Sequence, residues 1–437
     1  MKFWVTSNRK NCWRQRLWTS LEPKANDCSW HVPSTREAGH SRILVSCSRL
    51  PAAEEARDIY ASAGDQVSVG AMLESLGRVT SKQGDLTRAK QLYDQALAIY
   101  GKAGNKHGLS SAANNKAIVL ALQGDVAGAK EMMEKALRIY QEIGDQNDAA
   151  TTLTNIAEVL LDEGDLGGAN EDYKETLAIY RQTNNESGVA YSLLGNATAL
   201  FFLGDLSGAE RMAKQASAIL QKLGDKHSSA FTLARLGDIL FAEGDLAGAR
   251  KSYADALALR AEVGEEATSA ETRLSLAELA VEEGHPADAE INQAREVFRR
   301  QKLPDDEITA STVLAKALLA QNRSVDAQEE IDAVKALVTK SQIRYLLLDY
   351  AITSVRVLAA RGKLAEAKKN LAVTFEESRK YGFLGYQLEA RLALGEIEMK
   401  SRRNAAGRAC LQALERDARA KGFLLIARKA AAALKRS

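Results

Sequence analysis

Five histidines (His31, His40, His107, His227, His285) and four cysteines (Cys12, Cys28, Cys47, Cys410) are the residues best suited to proton transfer, nucleophilic attack or metal ligation. Only Cys28 and His31 stand at a ligand-like step. Cys12, His40 and Cys47 could be gathered around a zinc ion with them, but no paired CxxC motif supports such a centre. No serine or cysteine sits in a GxSxG elbow, and HExxH, GxxxxGK[ST] and a strand-borne dinucleotide fingerprint are all missing. His107, His227 and His285 fall at or near inter-helix turns, and His107 and His227, at nearly equivalent loop sites, are read as surface residues. Cys410 is read as a small buried apolar side chain. Recurrent Gly-Asp pairs lack the alternating oxygen ligands of a calcium loop. The expectation is therefore no enzyme, no metal and no cofactor.

The chain has 437 residues, 46% hydrophobic, 27% charged and only 6% aromatic, with a formal net charge of +2. That balance argues against a dedicated nucleic-acid binder. No apolar run approaches the ~20 residues that cross a bilayer, and the first residues lack the continuous apolar core of a secretory signal. A cytoplasmic chain with no membrane contact is expected. Charge is unevenly placed: residues 1–50 carry net +6, residues 379–437 carry net +9 and the stretch between them net −13. All four tryptophans lie in residues 1–50, and beyond Pro51 only Pro286 and Pro304 occur. So few prolines over so long a stretch permit an almost wholly helical chain.

A fixed rhythm decides the architecture. Gly-Asp recurs every 40 residues from Gly84-Asp85 through Gly244-Asp245, followed by Gly284-His285. A second set of breakers runs half a period out of phase: Gly64, Gly104, Gly144, Asn184, Gly224, Gly264 and Pro304, then Gly382 and Gly422 after a two-residue deletion. Alanine follows the first set at Ala89, Ala129, Ala169, Ala209, Ala249, Ala289, Ala327 and Ala367. Two breakers per period leave two amphipathic helices, each about 24 Å long. Glycine suits the left-handed residue that ends one helix, and aspartate the cap that starts the next. The alanine lets two helix backbones approach closely.

Leu76, Gly77, Ala89, Tyr93 and Ala96, echoed by Ala157, Ala169 and Tyr173 and by Leu236, Gly237, Ala249, Tyr253 and Ala256, resemble the tetratricopeptide repeat. The six residues beyond that family's 34-residue unit lie between hairpins, as in the repeats of kinesin light chain and of regulatory regions in bacterial kinases and transcription regulators. The resemblance implies an all-α, right-handed α-solenoid of about nine helical hairpins. It covers nine repeats over residues 64–421, a partial repeat at 51–63 (a second helix only) and a C-terminal capping helix at 422–437. Residues 1–50 show no such pattern and are expected to be irregular or disordered, either a foreign appendage or a poorly folding leader on a chain that begins inside a repeat.

In such an array the first helix of each repeat lines an inner groove that can hold a partner segment. By phase, the partner-facing candidates are Arg78, Lys82, Asn114, Asn115, Asn155, Glu158, Tyr191, Phe202, Arg235 and Asp238. Asn115 and Asn155, 40 residues apart, are expected to stack on the inner wall, where a carboxamide can both donate to and accept from a peptide backbone. In the resembling family an asparagine at this place contacts peptide ligands. Adjacent Phe201 and Phe202 cannot both be fully core residues, so Phe202 is offered as an aromatic anchor, against inter-repeat packing as its other role. A carboxylate clamp is not evident, because Arg78 and Lys82 are answered two repeats later by Glu158 and Asp162.

The functional expectation is a scaffold binding a protein or peptide partner. Its alternative is a regulatory or sensor array detached from a larger signalling kinase or transcription regulator. Opposite charges in the middle and at the C-terminal end allow self-association, in one chain or between copies.

Overall fold

Up to Gly244-Asp245 the turns are built from one recurring pair, a left-handed residue followed by an Asp or Asn that caps the next helix. In the computed structural model, which describes residues 29–33, 42–46, 50–400 and 404–435, Gly84 and Gly124 adopt φ of +87° and +89°. The next residue caps the following helix: Arg88 N–H donates to Asp85 Oδ1 at 3.0 Å and Gly128 N–H to Asp125 Oδ1 at 3.0 Å. The left-handed residue satisfies the carbonyls at one helix end and the carboxylate satisfies the amides at the next. Asn184 fills the left-handed place with φ +53°, as its carboxamide permits.

The helices are α1 (Leu50–Ser62), α2 (Gln66–Lys82), α3 (Leu86–Ala103), α4 (Lys106–Gln123), α5 (Val126–Ile143), α6 (Gln146–Glu163) and α7 (Leu166–Gln182). They continue as α8 (Glu186–Leu203), α9 (Leu206–Leu223), α10 (Lys226–Glu243), α11 (Leu246–Val263), α12 (Glu266–Glu282), α13 (Asp288–Arg300) and α14 (Pro304–Ala320). The last are α15 (Ser324–Ala333), α16 (Lys335–Val338), α17 (Arg344–Ala360), α18 (Leu364–Lys380), α19 (Leu384–Lys400), α20 (Asn404–Ala420) and α21 (Leu424–Lys435). Repeat 1 is α2 with α3, and the series runs to repeat 9, α19 with α20; repeat 7 has its second helix broken into α15 and α16. The architecture is an all-α solenoid.

Two compact units divide the chain, the boundary falling within α6 and α7. Among its described residues, the first unit holds everything up to Val159 together with Glu175–Gly188. Its N-terminal stretch, where no repeat pattern is legible, contains strands β1 (Ser29–Pro33) and β2 (Arg42–Ser46), paired antiparallel with Trp30 opposite Val45. The ribbon lies against α1. The helical core begins where Ala53, Ala56 and Tyr60 of α1 pack on Met72, Leu73 and Leu76 of α2.

Ala89 and Ala129 in the first unit, and Ala169, Ala209 and Ala249 in the second, are fully buried. The expected Ala289 is exposed, and Ala287 occupies its place. The two-residue deletion therefore falls one repeat earlier than the sequence reading set it, because Pro286 delays α13 until Asp288. Ile291, Ala294 and Phe298 then stand where Tyr253, Ala256 and Arg260 stand in repeat 5, and all three are buried. Pro304 is likewise not the breaker itself. Lys302 takes the left-handed conformation at φ +56°, and Pro304 opens α14, where a missing N–H costs nothing.

The second unit, Leu160–Lys174 and Val189 onward, folds back upon itself. Ala197, Leu206, Ala209 and Ile239 of repeats 4 and 5 share one core with Leu388, Leu392, Leu411 and Leu414 of repeat 9 and with Ile426 and Ala430 of α21. The turns touch directly. A side chain at Gly164 would strike Tyr381, and one at Gly204 would strike Leu384. The capping helix α21 thus covers α20 and also α10.

Two glycines test this packing. At Gly195 an added Cβ would lie 2.2 Å from the buried Tyr173 ring, whereas at Gly101 it would meet nothing. Gly195→Ala should destabilise the chain by about 1–3 kcal/mol, and Gly101→Ala should stabilise it by about 0.5–1 kcal/mol. Denaturant midpoints measured side by side check both signs.

Candidate functional site

The inner wall of the first unit is set by α2, α4 and α6. Asn155 Nδ2 donates to Asn114 Oδ1 at 3.1 Å, and Asn115 Nδ2 donates to Glu74 Oε1 at 3.2 Å. Asn115 and Asn155 do not meet each other as expected. Each bonds a residue 41 positions earlier, not 40. All three asparagines are buried, so they are neither a solvated ladder nor openly displayed groups. The Oδ1 atoms of Asn115 and Asn155 have no partner.

Glu74 is the centre of this wall. Tyr100 Oη donates to its Oε2 at 2.9 Å. Burial pushes the Glu74 carboxyl up, against the opposing pull of its bonds to Ser111, Tyr100 and Asn115 and of the nearby Arg78. Arg78 is half-exposed, with Nη2 3.4 Å from Ser75 Oγ. Glu158 is buried, and the Lys82 side chain lies outside the described residues. Ser111, Thr151 and Thr154 are half-exposed on α4 and α6, with Thr151 Oγ1 2.9 Å from Tyr180 Oη.

In the second unit the candidates are occupied by the chain itself. Phe202 is buried: its ring stacks on Tyr345 of α17 at 5.1 Å and meets the edge of Phe383 at 5.2 Å. It is a packing residue rather than an anchor, because the solenoid turns tightly enough to bring repeats 8 and 9 onto repeat 4. Tyr191 is buried, its hydroxyl donating to Asp225 Oδ2 at 3.2 Å. Arg235 and Asp238 pair at 2.9 Å, and Tyr253 Oη donates to Asp238 Oδ1 at 2.8 Å.

A row of charges that sequence reasoning missed lines the later first helices. Lys316 on α14 lies 2.8 Å from Glu278 on α12 and 2.9 Å from Asp349 on α17. Arg356 on α17 pairs with Glu389 on α19 at 2.6 Å, and Lys429 on α21 with Glu282 on α12 at 2.6 Å. Burial alone would lower the Lys316 ammonium, but Asp349 and Glu278 outweigh it and push it up. Burial opposes ionisation of Glu389 too, yet Arg356 and Lys429 hold its pKa down at about 2. The signal was present in the sequence: Lys316, Arg356 and Glu396 form one 40-spaced series, and Asp349, Glu389 and Lys429 another. Two C-terminal basic residues thus reach earlier repeats: Lys429 pairs with Glu282, and Arg428 donates to the Gly244 carbonyl.

The two loop histidines differ. His107 is exposed, beside Asp148 at 3.1 Å. His227 is mostly buried and pairs with Glu265, so only the first is a surface residue as expected. Cys410 is half-buried.

Residues 182–427 match the family model described as MalT-like TPR region, and residues 108–182 and 69–103 match two tetratricopeptide repeat models. Three solved structures of similar fold are the apo form of RapI, aspartyl phosphate phosphatase F from Bacillus subtilis, and a Rap protein complexed with competence and sporulation factor. RapI is 16% identical over 62% of this chain and 98% of that one, with a TM-score of 0.52. The phosphatase is 11% identical over 65% and 75%, at 0.53. The Rap complex is 15% identical over 74% and 96%, at 0.50. No curated protein matches the sequence. Among the described residues, no helix is long and apolar enough to cross a membrane.

The low Glu389 pKa carries a pH signature. A depressed carboxylate contributes stability above its ordinary value, here 4.5, that is lost as pH falls toward about 2. Glu389→Gln should therefore flatten the acid limb of the stability curve between those values. It should also cost about 3–5 kcal/mol at neutral pH by leaving Arg356 without its closest carboxylate. Denaturation midpoints at stepped pH check the difference.

Proposed function

Because the chain belongs to the MalT-like TPR family, we propose that it is a non-catalytic protein-interaction scaffold whose partner segment lies on the inner wall of the first unit. The observation that carries this reading is the contrast between the two walls. In the second unit, Phe202 is covered by the chain's own aromatics and the inner charges neutralise one another. In the first unit, Arg78, Ser111, Thr151 and Thr154 stay half-exposed.

The half-exposed hydroxyls of Ser111, Thr151 and Thr154 can donate to and accept from the backbone of a bound polypeptide, and the Arg78 guanidinium can donate to it. Such an arrangement reads main chain rather than side chains, which suits an extended protein or peptide segment. The partner calls neither for a nucleic acid nor for a membrane: among the described residues the wall of the first unit presents no concentrated positive charge, and Glu74 lies at its centre.

A second reading, a regulatory or sensor array belonging to a larger regulator, is favoured by the family match over residues 182–427. It keeps the same wall and changes only what the bound segment controls.

Arg78→Glu combined with Thr154→Arg should lower affinity for a purified, captured partner at least about tenfold, or ~1.4 kcal/mol. Val373→Arg, at an exposed position on α18, should leave it unchanged. Titration calorimetry with all three proteins decides; equal affinity for the wall variant and the parent would remove the assignment.

A further inference from the structure

We propose that His107, Asp145 and Asp148, in the first unit, form a binding site for a divalent transition cation of the zinc class. His107 is the second residue of α4, Asp145 caps α6, and Asp148 lies in the first turn of α6. Two successive repeats thus deliver one nitrogen and two carboxylate oxygens to one point. The three ligand atoms lie within 4.8 Å of one another. His107 Nε2 is 3.1 Å from Asp148 Oδ2 and 3.5 Å from Asp145 Oδ2. A tetrahedral ion with bonds of about 2.0–2.1 Å requires ligand separations of about 3.3–3.4 Å, and the observed pair brackets that value.

The ligand atoms are already oriented. Asp145 Oδ1 accepts from the Asp148 backbone N–H at 3.1 Å, which turns Oδ2 toward the imidazole. The His107 ring is held edge-on against Tyr140, with centroids 5.8 Å apart. Asp145 also borders an open cavity of about 480 Å³ lined by Ile143, Gln146, Asn147 and Thr183. The fourth coordination position can therefore be taken by water. The first turn of α6 opposes a cation with only about half a positive charge, against two full carboxylates.

The chain contains its own control. Exactly three periods later stand His227, Glu265 and Thr268. There Thr268 Oγ1 donates to Glu265 Oε2 at 2.8 Å and His227 Nδ1 pairs with Glu265, so the set holds one carboxylate where the first holds two. In the first set the third group is a second carboxylate, which has no proton to donate. Lys106, the neighbouring ammonium, is engaged by Glu142 at 2.5 Å. Asp145 and Asp148 bring two like-charged carboxylates together, with ligand oxygens within 4.8 Å of one another. A divalent ion would offset that repulsion, and imidazole with carboxylate selects a zinc-like ion over calcium or magnesium.

The test is zinc binding by titration calorimetry on the full chain, with Asp148→Thr, His107→Gln and His227→Gln. Asp148→Thr copies the single-carboxylate arrangement of the later loop, and far-UV circular dichroism checks that each variant keeps its helices. Both changes in the proposed site should weaken zinc binding at least about 100-fold, with His227→Gln unaffected. Cobalt(II) substitution separates this site from the N-terminal cysteines, because nitrogen and oxygen ligation gives visible bands without thiolate charge transfer. Parent-like affinity in either Asp148→Thr or His107→Gln overturns the proposal, as does a cobalt spectrum consisting of thiolate charge transfer alone.

Discussion

A hairpin of two helices of about 17 residues leaves an apolar stripe on each side, and only another hairpin can cover it. Everything else in this chain follows from that dependence. Close coverage requires backbones to approach, so the contact positions hold alanine, as at Ala89 and Ala129, which are fully buried. It also requires the large side chains to find gaps. Tyr93 lies over Gly77 in the first unit and Tyr253 over Gly237 in the second, in each case where a Cβ would collide with the ring. The core is thus a series of equivalent small-against-large contacts, each local to neighbouring repeats.

The two units use this common scaffold differently on their inner walls. In the second unit the stack returns to its own beginning, so apolar side chains of repeats 4 and 5 are covered by repeat 9 and α21. Charges that would be stranded there are arranged in opposite-sign pairs, and Glu389 stays ionised because Arg356 and Lys429 compensate its burial. Desolvation removes much of the stability such pairs could supply, so their effect is chiefly to fix which surfaces meet. In the first unit the wall is polar, built on carboxamides, hydroxyls, Arg78, Glu158 and the Glu74 carboxyl, which burial pushes toward its protonated form.

The fold was legible because its determinants are local. Glycine, asparagine and aspartate at turns announce helix ends through their own backbone chemistry, with no knowledge of the partner helix needed. The misplaced elements are those where a local rule was displaced. Ala289 was read as the close-contact alanine, but Pro286 delays α13 and hands that place to Ala287. Pro304 was read as a breaker although proline suits the first turn of a helix and Lys302 takes the strained place. The ribbon of Ser29–Pro33 and Arg42–Ser46 carries no repeat and so gave no periodic signal.

The candidate site was less legible, for a geometric reason. A 40-residue period identifies residues that are equivalent, and equivalent residues in a head-to-tail stack point the same way. Two such side chains cannot face each other; contact needs a forward-pointing group on one helix and a backward-pointing group on the next. The observed offsets obey this. Asn155 reaches Asn114 and Asn115 reaches Glu74 across 41 positions. Lys316 reaches Asp349 and Arg356 reaches Glu389 across 33, two helical turns short of the period. Pairing Asn115 with Asn155 treated equivalence as proximity. The same distinction explains Phe202, whose neighbours Tyr345 and Phe383 come from repeats four and five further along. Such contacts depend on how tightly the stack turns, a property summed over many small inter-repeat rotations and carried by no single residue pair.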